Sequence, residues 1–132
     1  MSQNEIKTMF EYNGVSYDFD VRDADDEEKF ENALESLQKE EDAMPKVGKA
    51  SEQMRAQCKA LKNFFDNCLG EGAGVKLCTE KNHLVVHYQA YEAFLNFVRA
   101  QKDEIVGYKN TFSQYSNRQQ RRAAQKTQKN SK

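Results

Sequence analysis

The sequence predicts an α+β fold, in which an N-terminal β-hairpin packs on a bundle of about three α-helices and a mobile basic tail follows. Three observations predict it. An alternating apolar pattern flanks an Asn-Gly pair, three longer segments carry apolar residues at helical spacing, and residues 109–132 hold seven Lys or Arg and no acid. The length of 132 residues suits one domain. We expect that domain at residues 1–108 and a flexible basic tail at residues 109–132.

The hairpin is predicted at residues 5–21. Asn13 and Gly14 suit a two-residue type I′ turn, because both central positions of that turn need a positive φ. Closing the chain there pairs Tyr12 with Val15, Phe10 with Tyr17, Thr8 with Phe19, and Ile6 with Val21. Seven of these eight residues are apolar and they share one face, so the hairpin must rest on another element.

The first helix is predicted at about residues 24–43. Asp23 suits the N-cap, and the acidic first turn complements the positive end of the helix dipole. Apolar residues then follow at i, i+3, i+4 and i+7: Phe30, Ala33, Leu34 and Leu37. Pro45 disfavours helical geometry at the residue before it, so the helix should end near Ala43.

The second helix is predicted at about residues 46–69. Its apolar seam has alternating steps of four and three residues: Met54, Cys58, Leu61, Phe65 and Cys68. The pattern leaves open whether this seam packs within the subunit or against a partner helix. The segment VKLC, which comes after the following glycines, is expected to form a short turn.

The third helix is predicted at about residues 83–104 or beyond, with Thr79 and Asn82 as candidate caps. One stripe carries Leu84, Tyr88, Tyr91, Leu95 and Val98, and it is widened by Phe94 and Phe97. We expect Gly107 to weaken or end the helix. In the tail beyond it, residues 118–126 suit a short helix that forms on binding.

The stretch FFDNCLGEGAG at residues 64–74 raises the question of a phosphate-binding loop. Such loops follow a strand and use backbone N–H groups at a helix N-terminus, whereas this stretch follows a helix and places Glu71 where phosphate would sit. We therefore predict a structural turn, in which Gly70 ends the helix and Gly72 continues the reversal. Asp66 is expected to bind N–H groups of the loop, and Phe65 to anchor it in the core.

No metal, cofactor or catalytic group is predicted. Cys78, His83 and His87 lie close in sequence, but they lack the paired spacing of structural zinc sites. Two of the three cysteines lie in the apolar seam, where cysteine usually acts as a small hydrophobe. Asp66 has no visible partner for acid–base catalysis.

The charges are strongly asymmetric. Residues 1–108 carry 13 Lys or Arg against 21 Asp or Glu, whereas the tail carries only positive charges. A basic tail favours contact with an acidic protein face, such as the first helix of another copy, or with nucleic acid, although the acidic body opposes the latter. No segment approaches the ~20 apolar residues that span a bilayer, and the start MSQNEIK lacks a signal-peptide core, so a cytoplasmic location is expected.

The chain resembles a family of small proteins from phages and prophages of Gram-positive bacteria. Members carry an FFD stretch followed by GEG, an aromatic helix, and an end similar to NRQQRRAAQK. The matching positions are Cys58, Phe64, Phe65, Asp66, Gly70, Glu71, Gly72, Phe94, Asn117, Arg118, Gln120, Arg121, Arg122, Ala123 and Ala124. The sequence departs from the usual residues at Leu69, Ala73 and Cys78.

The resemblance implies a role in virion morphogenesis. Such proteins are encoded among tail-morphogenesis genes and resemble tail assembly chaperones, which bind the tape measure protein in the cytoplasm of the bacterial host. A helical subunit can hold a long helix in an apolar groove. The candidate contact residues are Phe64, Leu69, Tyr91, Phe94, Phe97, Arg118, Arg121 and Arg122. For the five apolar positions, simple core packing is the competing interpretation.

The sequence is also compatible with two other functions. Acids at residues 23–26 suit a phage inhibitor of a host defence nuclease, in which carboxylates imitate phosphates. Nucleic-acid binding through the tail is the other. Homo-oligomerisation is compatible with all three.

Overall fold

The structure is a computed structural model that describes residues 6–130, except for the side chains of residues 120 and 123–130. The elements are β1 (Met9–Tyr12), β2 (Val15–Asp18), α1 (Ala24–Asp42), α2 (Ala50–Leu69), α3 (Ala73–Cys78) and α4 (Leu84–Asn130). The predicted class, a hairpin followed by a helical bundle, is confirmed. Glu5, at the predicted start of the hairpin, and residues 131–132 of the predicted tail lie outside the described residues.

The hairpin has the predicted turn and register. Asn13 and Gly14 have φ values of 51° and 75°, and β1 pairs with β2 in antiparallel order. Tyr12 lies opposite Val15 and Phe10 opposite Tyr17. The amide of Phe19 donates to the carbonyl of Thr8 at 3.0 Å, just beyond the strands.

The predicted pairing of Ile6 with Val21 is absent from this sheet. The amide of Val21 donates instead to Oε1 of Gln101 on α4, at 2.9 Å. A hydrogen bond to a side chain of the bundle therefore takes the place of the last backbone pair predicted for the hairpin.

The first two helices differ from the prediction mainly where α2 begins. The carboxylate of Asp23 caps α1 by accepting from the amide of Asp25 at 2.9 Å, and α1 ends at Asp42. The second helix begins at Ala50 and not at Lys46. Gly48 explains the later start, since its φ of 129° lies outside helical geometry.

Two helical predictions at the C-terminal side are corrected. The segment VKLC is part of a six-residue helix, α3, and does not form a simple turn. The last helix does not stop near residue 104 or at Gly107 but continues to Asn130 over 47 residues. An isolated glycine costs about 1 kcal/mol in a helix, and no proline follows it to enforce an end. The backbone of residues 118–126 is thus already helical.

The core is aromatic and centres on Phe94 of α4. Its ring lies 5.1–6.2 Å, centroid to centroid, from six other phenylalanines: Phe10, Phe19, Phe30, Phe64, Phe65 and Phe97. These rings come from the hairpin, the segment after β2, and three helices. Because aromatic burial dominates the energetics of small cores, Phe94 joins the hairpin to the bundle.

Candidate partner-binding surfaces

The five predicted apolar contact residues pack in or against the core. Phe64 and Phe94 have no solvent exposure, so core packing accounts for them in this fold. Leu69, Tyr91 and Phe97 are half-buried and pack against the same cluster. The ring of Tyr91 stands edge-on to that of Phe64 at 5.2 Å.

A groove lies between the α1–α2 loop, α2 and the start of α4, and its lining differs from the one that the sequence predicted. Its volume is about 480 Å³. The lining residues are Met44, Pro45, Lys46, Ala50, Gln53, Met54, Gln57, Leu84 and Tyr88. Tyr91, Leu69 and the three phenylalanines predicted as contacts do not line it. The groove is therefore built from neighbouring positions on the same helices.

Met54 and Tyr88 are the most informative groove residues, because their sequence patterns assigned them to buried seams. They are instead 42% and 46% exposed. Both lie at the end of the bundle where the α1–α2 loop leaves their seams uncovered. Methionine is flexible and polarisable, which suits a surface that adapts to different apolar partners.

Further apolar residues adjoin the groove that Met54 and Tyr88 line. A second groove of about 290 Å³ lies on the other side of Met44 and Pro45, against Ala56 and Ala60. Val47 in the loop and Val85 on α4 are also exposed. Gln57, at the edge, donates from Nε2 to the Glu41 carboxylate at 2.9 Å, which gives the groove a polar border.

The stretch FFDNCLGEGAG joins α2 to α3 through a tight reversal. Gly70 and Gly72 have φ values of 112° and 92°, which L side chains rarely adopt. The Oδ1 atom of Asp66 accepts from the amide of Gly74 at 2.7 Å, so a carboxylate on α2 caps the start of α3. Phe65 is fully buried and fixes the end of α2 in the core.

Gly74 brings the two helices into close contact. A Cβ atom at this position would lie 2.7 Å from the Cα atom of Lys62, a distance that real Cβ atoms do not show. The backbone of α3 thus packs directly on the backbone of α2. The stretch has a structural role, in which Gly70 and Gly72 supply positive φ values and Gly74 allows the close contact of the two helices.

The cysteines show no sign of an activated thiol. All three are buried and free. Burial raises the pKa of Cys68 and of Cys78 to about 12, so both thiols stay protonated at neutral pH. Within residues 6–130, no three His, Cys, Asp or Glu side chains are grouped so that they could hold a metal ion.

The two histidines shape the start of α4. The Nδ1 atom of His83 accepts from the amide of Val86 at 3.3 Å, so His83 serves as the cap that the sequence assigned to Thr79 or Asn82. Thr79 is the C-cap of α3, with a φ of 69°. His87 is fully buried and donates from Nδ1 to the carbonyl of His83 at 2.7 Å. Burial lowers the pKa of His87 from its ordinary value near 6.5.

Several acids near the start of α1 are occupied by contacts within the chain. Asp23 caps the helix, Asp26 accepts from the amide of Asp20 at 3.0 Å, and Glu27 pairs with Lys102 at 3.0 Å. Asp20 itself binds Arg22, and that guanidinium lowers the pKa of the Asp20 carboxyl. These contacts favour a structural role for the acids over imitation of phosphates.

The C-terminal half of α4 leaves the bundle and presents aromatic and basic side chains to solvent. Tyr108, Phe112 and Tyr115 are exposed, and the rings of Tyr108 and Phe112 stack at 6.3 Å. The three predicted contact arginines, Arg118, Arg121 and Arg122, follow and are exposed. Among the described residues, no helix is both long enough and apolar enough to cross a membrane.

Comparison with protein families assigns the chain to one family. The model of a family described as of unknown function, DUF6673, matches residues 13–125. The chain belongs to this family. The match includes the hairpin turn, the FFDNCLGEGAG stretch and the exposed arginines of α4, so these features lie within one DUF6673 unit. No curated protein and no solved structure matches the chain significantly.

Proposed function

We propose that this protein is a non-enzymatic phage tail-assembly chaperone, or a related morphogenesis factor, that binds the tape measure protein in the cytoplasm of a Gram-positive host. The observation that carries the proposal is the exposed groove of about 480 Å³ lined by Met44, Met54, Leu84 and Tyr88. The resemblance at the FFD, GEG and NRQQRRAAQK stretches supplies the class of partner.

The groove has the features that recognition of a helix requires. An amphipathic helix inserts apolar side chains, one or two turns apart, into a groove on its partner. Met54 and Tyr88 offer an apolar floor from two different helices, and Lys46 and Gln53 supply a polar edge. A long helical protein with exposed apolar residues aggregates before assembly, and covering those residues would keep it in solution.

Co-expression with the tape measure protein of the same phage tests the proposal. We expect the wild-type protein to increase the soluble fraction of its partner and to co-purify with it. Met54→Asp should abolish both effects because it places a charge in the groove. Val75→Asp is the matched control, since Val75 is 44% exposed but lies on α3, outside the groove lining.

Two results would contradict the proposal. One is a tape measure protein that stays as insoluble with the wild-type protein as without it, and with no complex. The other is equal loss of the complex in Met54→Asp and Val75→Asp, because the groove would then not be the contact surface. Circular dichroism of both variants checks that each is folded.

The exposed arginines favour a second function, nucleic-acid binding through α4. Arg118, Arg121 and Arg122 lie within two turns of one helix and point to solvent. Such binding should weaken steeply as salt rises, because phosphate contacts release counterions. It should also disappear on truncation after Ser116. Binding that is absent, or that salt does not affect, excludes this function.

A further inference from the structure

The exposed aromatic side chains of α4 continue the seam by which this helix packs in its own domain. Positions along that seam alternate steps of four and three residues: His87, Tyr91, Phe94, Val98, Gln101, Ile105, Tyr108, Phe112 and Tyr115. The first five are buried or half-buried beneath the rest of the domain. Tyr108, Phe112 and Tyr115 are 61%, 66% and 64% exposed. A seam of this period is the pattern of paired helices.

The hairpin covers the seam only as far as Gln101. That side chain is fully buried and donates from Nε2 to the carbonyls of Lys7 and Phe19, at 2.9 and 3.0 Å. Ile105 is half-buried at the edge of the domain, and from Tyr108 onward the apolar positions of the seam are exposed. We name Ile105, Tyr108, Phe112 and Tyr115 the α4 stripe.

We propose that a second copy of this chain covers the α4 stripe, with the two α4 helices antiparallel. The stripe is self-complementary in that orientation. When Tyr108 of one copy meets Phe112 of the other, Ile105 meets Tyr115, and the two-fold symmetry repeats both contacts. All four apolar positions of each copy are then buried.

Charge supports the second copy as the occupant, and supports the antiparallel direction. In this register Glu104, just before the stripe, comes beside Arg118, just after it, on the other copy. Glu104 is 39% exposed at its side chain and already binds Arg22 at 3.0 Å, so it has room for a second cation. A parallel pair would set Arg118, Arg121 and Arg122 against the same residues of the other copy, and like charges would repel.

The charge distribution along the whole chain also favours an antiparallel pair. Residues 1–108 carry an excess of eight acids, and residues 109–132 carry seven basic residues and no acid. Antiparallel pairing carries the basic end of each copy toward the acidic domain of the other. This inference does not rest on the chaperone function, and either can fail without the other.

Sedimentation velocity on a dilution series of the full chain tests the dimer. We expect a reversible dimer for the wild-type protein, and a monomer for Phe112→Glu at every concentration. Val106→Glu is the control, because Val106 is 50% exposed but lies about a third of a turn away from the stripe. It should remain dimeric. Arg118→Glu should weaken the dimer, by less than Phe112→Glu does, and more so at low salt.

Cross-linking through single introduced cysteines tests the direction. In the antiparallel register Thr111 lies within about 3 Å, along the helix axis, of Thr111 of the other copy, whereas the two Arg118 positions are about 24 Å apart along the helices. Thr111→Cys should therefore form a cross-linked dimer with a short thiol reagent, and Arg118→Cys should not. The natural cysteines are buried and give a low background.

Three outcomes would overturn the proposal. The first is a wild-type protein that remains monomeric through the dilution series. The second is a dimer that Phe112→Glu leaves intact. The third is equal cross-linking of Thr111→Cys and Arg118→Cys, which indicates a parallel pair.

Discussion

At Gly74 the absence of a side chain determines how α3 packs. Its amide donates to Asp66, and its Cα faces the Lys62 backbone at a distance that leaves no room for a methyl group. Gly70 and Gly72 are needed for a different reason, their positive φ values. The glycines in one short stretch thus satisfy two separate constraints, one of space and one of backbone angle.

Replacing Gly74 with alanine should destabilise the protein by about 1–3 kcal/mol, the usual cost of forcing a group into a packed interior. Gly107→Ala is the matched control. A Cβ there meets nothing within 4 Å, and alanine is favoured over glycine in a helix, so stability or helicity should rise slightly. Urea unfolding of both variants measures the difference. Equal stability of the two would contradict the close contact of α3 with α2.

His87 makes stability depend on pH. The atom Nε2 of this buried side chain has no hydrogen-bond partner among the described residues. Burial lowers its pKa in the folded state below the ordinary value near 6.5, so the unfolded chain binds the proton more readily. Stability therefore rises with pH through this range, and is lost as pH falls below about 6.5 toward the folded-state pKa.

His87→Gln should reduce this dependence because it removes the titrating group. Between about pH 7 and pH 5 the free energy of unfolding should fall less in the variant than in the wild-type protein. Urea unfolding at several pH values measures both profiles, and the carboxylates contribute equally to each. Superimposable profiles would show that His87 titrates alike in the folded and unfolded states.

Among the elements, α4 is bound to the hairpin by one polar side chain as well as by aromatic packing. Gln101 accepts from the amide of Val21 and donates to the carbonyls of Lys7 and Phe19. All three partners are backbone groups at the open end of the hairpin. Beside them Arg22 binds Asp20 and Glu104, which ties the same segment to α4 a second time.

Gln101→Leu should destabilise the domain by at least about 1–3 kcal/mol, because it leaves a buried amide and two carbonyls without their partner. The effect should be largest at the open end of the hairpin. Hydrogen exchange should show faster loss of protection at the amide of Val21 than at amides in the middle of α2. Unchanged protection there would mean that another group replaces Gln101.

At the scale of the whole molecule, the part of α4 beyond the bundle contributes charge and surface but no core. The described side chains from Val106 to Arg122 are exposed. Deleting residues 117–132 removes six positive charges and no negative one, so the formal net charge would change from −1 to −7. The aromatic cluster around Phe94 would be untouched.

Truncation after Ser116 should therefore change the free energy of unfolding by less than about 0.5 kcal/mol, as for surface changes away from packed features. Measurement in dilute solution avoids any contribution from a second copy. Helical content per molecule should fall because the deleted residues 117–130 are helical. A large loss of stability would show that the end of α4 supports the domain.

Interactions between residues close in the sequence were sufficient to predict several features of the fold. The Asn-Gly turn required two positive φ values and thereby set the register of the hairpin. Asp23 capped α1, and Gly70 ended α2, because each of these signals acts within a few residues. The apolar seams of α2 and α4 likewise followed from their spacing.

Only the tertiary structure decided which parts of those seams are covered. Met54 and Tyr88 have the same spacing as their buried neighbours, but the α1–α2 loop leaves them in an open groove. The α4 stripe keeps the period of the core after the core has ended. Gln101 is a polar residue and the sequence alone does not predict its burial. It is buried because it forms hydrogen bonds with backbone groups up to 94 residues away. Spacing along a helix determines which side chains share a face, whereas the arrival of distant segments determines whether that face is covered.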